Sequence, residues 1–561
     1  MDKLDIAALT VLSIAFFSLA VWNLGMASVP LTTWTPFEGA SFYIDLGSLE
    51  YVDAVYFLIK NGEISVKVYT GSPATWNEEV TDYQRDYHYY SWKEVRVASE
   101  TRFVRFVFSR SYGEIAELAV LSREAEKLSV SIIRNERGSD EELLNLIDEQ
   151  EKVECPPTYM SQTYFDEIYF VRAAEDYLNL RDPYEWTHPP LGKLIITVAV
   201  LAFGYNPFGW RIMGVVFATL MIPVIYFLGK KLFGTRVGAL ASAILLTFDF
   251  MHLTMGRIAT VDTFLVFFSL TSHFFFFTYF QNVLRIGWKA SKRPLFLAVL
   301  FFGLGFSTKW YTLFGFVGQV FLLLLLRFKT VMAAKEGWTM RIKTFFSSPF
   351  VAFLGFVAVA AAVYLATFIP HILVGYSLKD ICDLQFSMYH YHSTLTATHP
   401  YSSPWWSWPL MANPLESKPV PVWLYVSYLP GNIVSTIVAM GNPAVWWLGF
   451  ASIICLVEET ARTKDYSMGF ILAIFLSQWL PYAFISRCLF LYHFYFNVPF
   501  LILAIVRFLN DSWSRRWCRT LWLFYLILVG VLFALFYPVI SGFPTPCWWR
   551  DSLRLFSGWV F

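Results

Sequence analysis

The run PLFLAVLFFGLGFSTKWYTLFGFVGQVFLLLLL, Pro294–Leu326, decides the fold. It contains one charged residue, Lys309. As a single helix it would be about 50 Å long, against a hydrocarbon core of about 30 Å, so it is too long for one crossing. Breaking it at Ser307-Thr308-Lys309 gives two spans, about 294–309 and 311–328. The break also puts the lysine at a surface instead of mid-bilayer, avoiding a penalty of roughly 2.5–3.5 kcal/mol on insertion scales. Outward from this pair, apolar runs recur at about 6–29, 210–229, 237–250, 260–281, 350–372, 441–457, 467–485, 488–508 and 519–541, for a total of about eleven helices. Composition agrees: 56% of residues are hydrophobic and 15% charged, with mean hydropathy +0.49. The class is a polytopic α-helical membrane protein. A formal net charge of +1 gives no reason to expect nucleic acid as a partner.

Basic residues orient the chain. Lys230, Lys231 and Arg236 share one connection, and Arg285, Lys289, Lys292 and Arg293 the next but one. Lys329, Lys335, Arg341 and Lys343 follow, then Arg462 with Lys464, then Arg515, Arg516 and Arg519. The positive-inside rule makes these loops cytoplasmic, and the N-terminus with them. Residues 1–28 read as a retained first span, too long for the apolar core of a cleaved signal. The large connections are then extracytoplasmic: 29–209 and 373–440, with the tail 542–561. Helices two to seven occupy 210–372, and helices eight to eleven 441–541. Counting Leu191–Phe203 as a crossing would invert every later basic loop, so it reads as a helix lying in the membrane interface.

Within the first connection, 29–125 has a different composition. ASFYIDLG, VDAVYFLI, ISVKVYTG, WKEVRV, RFVRFVFSR and IAELAVLS alternate apolar and polar residues, with turn-prone Lys60-Asn61-Gly62 and Gly71-Ser72-Pro73 between them. This predicts an extracytoplasmic β-sandwich, either a glycan or surface tether or a plain spacer. Residues 126–209 complete the first loop.

That loop carries the chemistry. Asp166-Glu167 sits in FDEIYF, where aromatic neighbours would hold the carboxylates against the bilayer surface; desolvation there raises a carboxylate toward general-base range. In THPPLGK, Thr187–Lys193, the prolines give a rigid lead-in to the interfacial helix. Lys193 in its first turn suits a phosphate or simply snorkels. Arg211, Arg257, Lys309, Arg487 and His493 all fall near outer helix ends. Each alone is an interfacial anchor; together they suggest an anionic ligand such as a lipid-linked phosphate. In the second outer loop, Trp405, Trp406 and Trp408 read as an aromatic belt or as a platform for sugar rings. His188, His399, Tyr401 and Trp405 are the candidates for holding substrate. His390, His392 and His399 lack the spacing and the neighbouring carboxylates of a metal site, so no metal is assigned. Six scattered cysteines form no dense framework, though one bridge among Cys155, Cys382 and Cys547 is open. There is no P-loop and no Rossmann glycine fingerprint, so the reaction energy has to come from the substrate.

Taken together, FDE at Phe165–Glu167, HPPLGK at His188–Lys193, WRIMG at Trp210–Gly214, GRIATVD at Gly256–Asp262 and STKW at Ser307–Trp310 resemble the protein O-mannosyltransferase family. HPYSSPWWSWPL at His399–Leu410, GNPAVWW at Gly441–Trp447 and SRCLFLYH at Ser486–His493 extend the likeness over nearly everything but the β insert. The resemblance implies a C-type glycosyltransferase fold and inverting transfer of mannose from dolichyl or polyprenyl phosphate to Ser/Thr of exported proteins. It implies Asp166 as catalytic base, with Glu167 supporting it or the acceptor. Arg211, Lys309, Arg487, His493 and Lys193 are the expected donor-phosphate ligands. No cofactor beyond the lipid-linked donor is required; the partners are that donor, membrane lipids, an acceptor protein and, through the β-sandwich, a glycan. The order YIDLG, VYTGSPATW, RFVRFVFS, ELAVLS resembles discoidin-like domains. That insert, and the lack of a β-trefoil in the second loop, imply a prokaryotic member. The rivals are transfer of another sugar or to a lipid or glycan acceptor, a transporter or flippase, and an adhesin. A transporter predicts internal repeats that are not seen, and an adhesin needs only one span.

Overall fold

The structure, a computed structural model, describes residues 2–81, 87–109, 111–138, 142–333, 337–346, 348–416 and 418–561. Lys335 of the basic series and Arg110 of the strand pattern lie outside the described residues.

The β region has seven strands: β1 Ser41–Glu63, β2 Val66–Ser72, β3 Thr75–Thr81, β4 Tyr87–Phe108, β5 Tyr112–Leu121, β6 Lys127–Leu128 and β7 Ile132–Arg137. They are ordered β3-β2-β4-β1-β5-β6, with β7 also on β1. β1 and β4 run the length of the domain and break register between Asp45 and Glu50, so each contributes to two layers. The layers face one another: Phe57 of the second half of β1 meets Phe106 and Phe108, which belong beside its first half. The sheet continues past residue 125, the sequence boundary, because β7 pairs with β1 and Ile133, Leu143 and Leu146 enter the core. Lys60-Asn61-Gly62 is not a turn. It lies inside β1, where Gly62 (φ +115°) opposes Gly113 and a Cβ would sit 2.2 Å from the Tyr112 carbonyl oxygen. Here glycine serves close cross-strand approach.

Eighteen helices are described. They begin with α1 Lys3–Val21, α2 Glu167–Leu178, α3 Leu191–Phe203, α4 Pro207–Phe233, α5 Arg236–Thr247 and α6 Phe250–Gly256. Next come α7 Asp262–Ile286, α8 Arg293–Phe306, α9 Thr312–Ala333, α10 Trp338–Phe345, α11 Ser348–Ala366 and α12 Ile369–Val374. The rest are α13 Leu378–Thr394, α14 Pro443–Thr463, α15 Tyr466–Trp479, α16 Val498–Ser512, α17 Arg516–Ser541 and α18 Cys547–Ser552. Among the described residues nine helical stretches are long and apolar enough to cross a membrane, and the α5–α6 pair, bent by 58°, makes ten. The sequence reading of about eleven spans adds α8, 14 residues and so about 21 Å long. α3, at 13 residues, exposes Val198, Leu201 and Phe203. α16 is buried almost all round and forms the axis of the bundle.

Three motifs fix the bundle. The α5–α6 bend is held by Asp249, which caps α6 and accepts Trp446 Nε1 at 2.9 Å, while Asn442 Nδ2 donates to the Phe248 carbonyl at 3.0 Å. Arg257 donates to the last carbonyls of α1 (Ala20 and Trp22, 2.7 Å each), to Asn23 and to Ser541 of α17. That placement suits a cation at helix C-termini. At the opposite end, Asp5 pairs with Lys230 at 2.6 Å and Arg236 at 2.9 Å. The β region and the Asp166 turn both lie at the Arg257 end.

Residues 373–440 are not a plain loop. They contain α13 and a hairpin, β8 Val422–Leu429 with β9 Ile433–Ala439, to which β10 Thr545–Pro546 adds a short third strand. Trp408 is fully buried and donates to Ser403 Oγ, so it belongs to the core and not to an interfacial belt. All six cysteines are unpaired, including Cys155, Cys382 and Cys547.

Candidate active site

The chain enters the site through a tight turn, Tyr164–Glu167, in which Phe165 adopts φ +51°. A non-glycine residue in the left-handed region is uncommon and needs support from its surroundings. Glu167 supplies it. Its fully buried carboxylate accepts Tyr164 N–H across the turn (3.2 Å), Ala259 N–H of the GRIATVD stretch (2.9 Å), and Arg211 Nε and Nη2 (2.8 and 2.7 Å). The remaining Arg211 N–H groups reach the carbonyls of Leu24, Tyr159 and Gln162. All five guanidinium donors are therefore engaged. This corrects the expectation for Arg211, which has no N–H left for a phosphate; of the two roles expected of Glu167, its engaged carboxylate fits support of Asp166 and not contact with the acceptor. The pair is a clamp that presents Asp166.

Lys193 is corrected in the same way. It is buried and donates to the Glu185 carboxylate at 2.8 Å, to the His188 carbonyl at 2.8 Å and to the Glu185 carbonyl, which uses its three N–H groups. His188 Nδ1 joins the same carboxylate at 2.9 Å. Burial works against ionisation of Glu185, but Lys193 and His188 outweigh it and hold the carboxyl below its usual range. This network shapes the THPPLGK loop, which docks onto the STKW turn through Leu191 N–H to the Ser307 carbonyl, 3.0 Å. Gly192 permits the docking, because a Cβ there would meet Val261 at 2.5 Å and Thr308 at 3.1 Å.

Asp166 remains without a cationic partner in direct contact. It is half-buried, and burial pushes its carboxyl up to about 7, against the pull of Lys309 and Arg487 and with the help of Asp262 and Glu185. Those four groups are the charges that act on it through space. Lys309 donates to Asp262 Oδ1 at 2.8 Å and lies 5.5 Å from the Tyr311 ring, keeping two N–H groups in reserve. Arg487 donates through Nη1 to His392 Nδ1, while its Nε is buried with no partner. His392 is a neutral acceptor there: its Nε2 donates to the Thr187 carbonyl at 2.8 Å, and burial lowers its pKa to about 4. The rings of His188 and His392 are 5.1 Å apart.

Two spaces open on this cluster. Thr187, His188, Lys309, Trp310, Tyr311 and His392 line a cavity of about 80 Å³. Arg487, with Trp405, Tyr482 and Ser486, lines a groove of about 590 Å³ against the second loop. The Arg487–His392 contact stands between them. His493 stacks on Tyr492 (4.7 Å) and Trp408 (6.2 Å) beside Tyr311, and its Nδ1 accepts the Phe490 N–H. His399 is exposed against Phe490, and Tyr401 packs on Trp423. Trp405 reaches the groove, but neither His399 nor Tyr401 lines either space. Among the described residues no group of three His, Cys, Asp or Glu is placed to hold a metal. The sequence reading passed over Asp262 and Glu185. Asp262, an acid in the first turn of an apolar helix, carried a legible signal; Glu185, two residues before a Thr-His-Pro-Pro loop, did not.

Fold and site together define a polytopic helical membrane protein with a perturbed carboxylate and two incompletely engaged cations at one mouth of its bundle. Residues 202–376 match the family described as dolichyl-phosphate-mannose-protein mannosyltransferase, and residues 377–559 the C-terminal four TMM region of protein-O-mannosyltransferase. The chain belongs to the protein O-mannosyltransferase family. It is similar to the polyprenol-phosphate-mannose–protein mannosyltransferase of Mycolicibacterium smegmatis (strain ATCC 700084 / mc(2)155), 26% identical over 419 residues, 64% of this chain and 78% of that one. The Corynebacterium glutamicum protein of the same name is 26% identical over 436 residues, 66% and 81% of the two chains. Among solved structures, the Saccharomyces cerevisiae protein O-mannosyltransferase Pmt1–Pmt2 complex bound to the sugar donor shares the fold. Its TM-score is 0.59 at 14% identity, over 71% of this chain and 89% of that one.

Proposed function

We infer that this chain is a membrane mannosyltransferase that moves mannose from a polyprenyl or dolichyl phosphate to the hydroxyl of a Ser or Thr in an exported protein. The observation that carries the reading is Asp166, with a carboxyl raised to about 7 against the pull of Lys309 and Arg487, which keep donors free. Its chemistry fits a single displacement. The acceptor oxygen bonds to sugar C1 as its proton passes to Asp166, the bond from C1 to the phosphate oxygen breaks, and the lipid phosphate departs. Arg487 and Lys309 stabilise the negative charge that grows on the departing phosphate. Displacement from the opposite face inverts the anomeric centre and needs no covalent intermediate. His493, at the rim of the same cluster, orients the donor.

The basic loops near Lys230, Arg285 and Arg515 lie at the end of the bundle away from Asp166. By the positive-inside rule that end is cytoplasmic, so the N-terminus is inside and the site faces outward. The test is transfer from polyprenyl-phosphate mannose to a Ser/Thr peptide by the purified chain, with Asp166→Asn beside it. We expect at least about a hundredfold loss in the variant, in the usual range for removing a general base. Equal turnover by the variant sinks the role of Asp166, and no transfer by the wild type sinks the reaction.

A further inference from the structure

A second cleft, of about 590 Å³, lies between the β region and the hairpin of the second loop. Its two walls differ in kind. One is formed by six consecutive residues, Tyr425–Pro430, and a run that shows odd and even residues alike is the edge of a strand and not its face. The other is formed mainly by residues at alternate positions, Ala54 and Tyr56 of β1 and Trp92, Glu94 and Arg96 of β4, joined by Asp53 at the β1 register break and by Leu121–Arg123 at the end of β5. That spacing is the face of a sheet, with side chains standing into the cleft.

The edge is open. β8 is the terminal strand of its sheet, pairs only with β9, and no other backbone hydrogen bond from Tyr425–Leu429 is found among the described residues. Every second residue of such a strand turns its N–H and C=O outward. Edge strands are normally blunted by charges, proline or a covering segment. VWLYVSYL, Val422–Leu429, has no charge and no proline. The opposing wall supplies acids and bases in balance, Asp53 and Glu94 with Arg96 and Arg123, and Asp53 pairs with Arg96 at 3.2 Å. A highly charged ligand gains nothing there.

We propose that this cleft docks the acceptor polypeptide as an added strand on β8, in an extended and uncharged segment. The pairing supplies affinity through the main chain, and the alternate pockets around Tyr56 and Trp92 supply selectivity through side chains. The inference deepens the transferase reading and takes the identity of the peptide from it. The cleft is also joined to the site. Gln162 lines it, accepts the Trp92 N–H at 2.9 Å through its side chain, and holds Arg211 through its carbonyl. Gln162 lies four positions before Asp166, so their Cα atoms are at most about 14 Å apart. That distance corresponds to about four or five extended residues, so the proposal places the acceptor hydroxyl that far beyond the docked segment.

The experiment is a backbone N-methyl scan of a labelled Ser/Thr acceptor peptide. Binding to the full-length purified chain is measured by anisotropy, and transfer is measured in parallel. Methylation at alternate residues of the docking segment should weaken binding about three- to tenfold per position, the range of one lost hydrogen bond, and leave the intervening positions unaffected. Tyr428→Asp, at a side chain 65% exposed, should weaken binding of the long peptide and leave kcat for a three-residue acceptor unchanged. A flat scan with normal transfer overturns the docking inference and leaves the transferase standing. A period-two scan without transfer does the reverse. Displacement of the peptide by free oligomannose, together with a flat scan, assigns the cleft to glycan and overturns the proposal.

Discussion

At the scale of single residues the site divides its charges between holding and reacting. Glu167 and Arg211 exhaust each other and the surrounding backbone, whereas Asp166, one position earlier, is left unpaired with its carboxyl near 7. Because burial raises that value above the ordinary 3.8, the reactive carboxylate form grows as pH rises through about 7. We expect kcat/KM to fall tenfold per pH unit below that point and to level above it. The linked stability runs the other way. A raised carboxyl stabilises the fold below its unfolded value and loses that contribution as pH rises toward 7. Asp166→Asn should therefore melt above wild type at pH 8, with the gap closing near pH 4. The neighbouring substitution behaves differently. Glu167→Gln leaves a buried guanidinium half-paired, which costs about 3–5 kcal/mol, and calorimetry should show the loss at every pH. The acidic pair and the cations were legible in the sequence as residue types in an apolar setting. Which cation was reserved for structure was not legible, because the partner of Arg211 lies 44 residues away and Lys193 is captured by a loop with no motif of its own.

Elements bring those residues together through contacts too close for ordinary side chains. At Gly192 the first turn of α3 meets Val261 and Thr308, so three sequence motifs converge on a position where a methyl group has no room. Gly192→Ala should push α3 off the STKW turn, destabilise the fold by the about 1–3 kcal/mol of an overpacked core, seen as a lower melting temperature, and cut turnover by moving Asp262 and Lys309. Val261→Ala removes the closest contact and leaves the Val261 Cβ at 2.9 Å and Thr308 at 3.1 Å, so the double variant should recover part of both losses; additive losses would place the defect elsewhere. Element boundaries followed how strongly each pattern repeats. Long apolar runs marked the helices, though the first, read to about 29, ends as helix at Val21, and alternation marked the strands. The misreadings came from tertiary demands that local patterns do not encode. Asn61-Gly62 looks like a hairpin turn but allows β1 to approach β5. The tryptophans at 405–408 look like a belt, but one is core. The β8–β9 hairpin is hidden among aromatic residues shared by both readings.

For the whole molecule, the decisive property is that the bundle has two unlike ends. One carries the β region, Asp166 and the clustered Lys309 and Arg487; the other gathers Lys230 and Arg236 around Asp5 and the basic connections beyond them. Moving the basic loops across the bilayer is what the positive-inside bias opposes, so these ends assign themselves to opposite faces of the membrane. The assignment can be read with single cysteines placed in a chain freed of its six native ones. Leu144, 60% exposed beside the β region, and Trp338, 68% exposed between α9 and α11, mark the two ends. Leu144→Cys should react with a membrane-impermeant maleimide on intact cells, and Trp338→Cys only after permeabilisation. The reverse pattern would put Asp166 on the cytoplasmic face, where no exported chain would meet it. Labelling of both on intact cells would mean that the α5–α6 bend or α8 does not cross, or that α3 does, against what the basic loops require. The parity of the bundle is thus tested independently of any turnover.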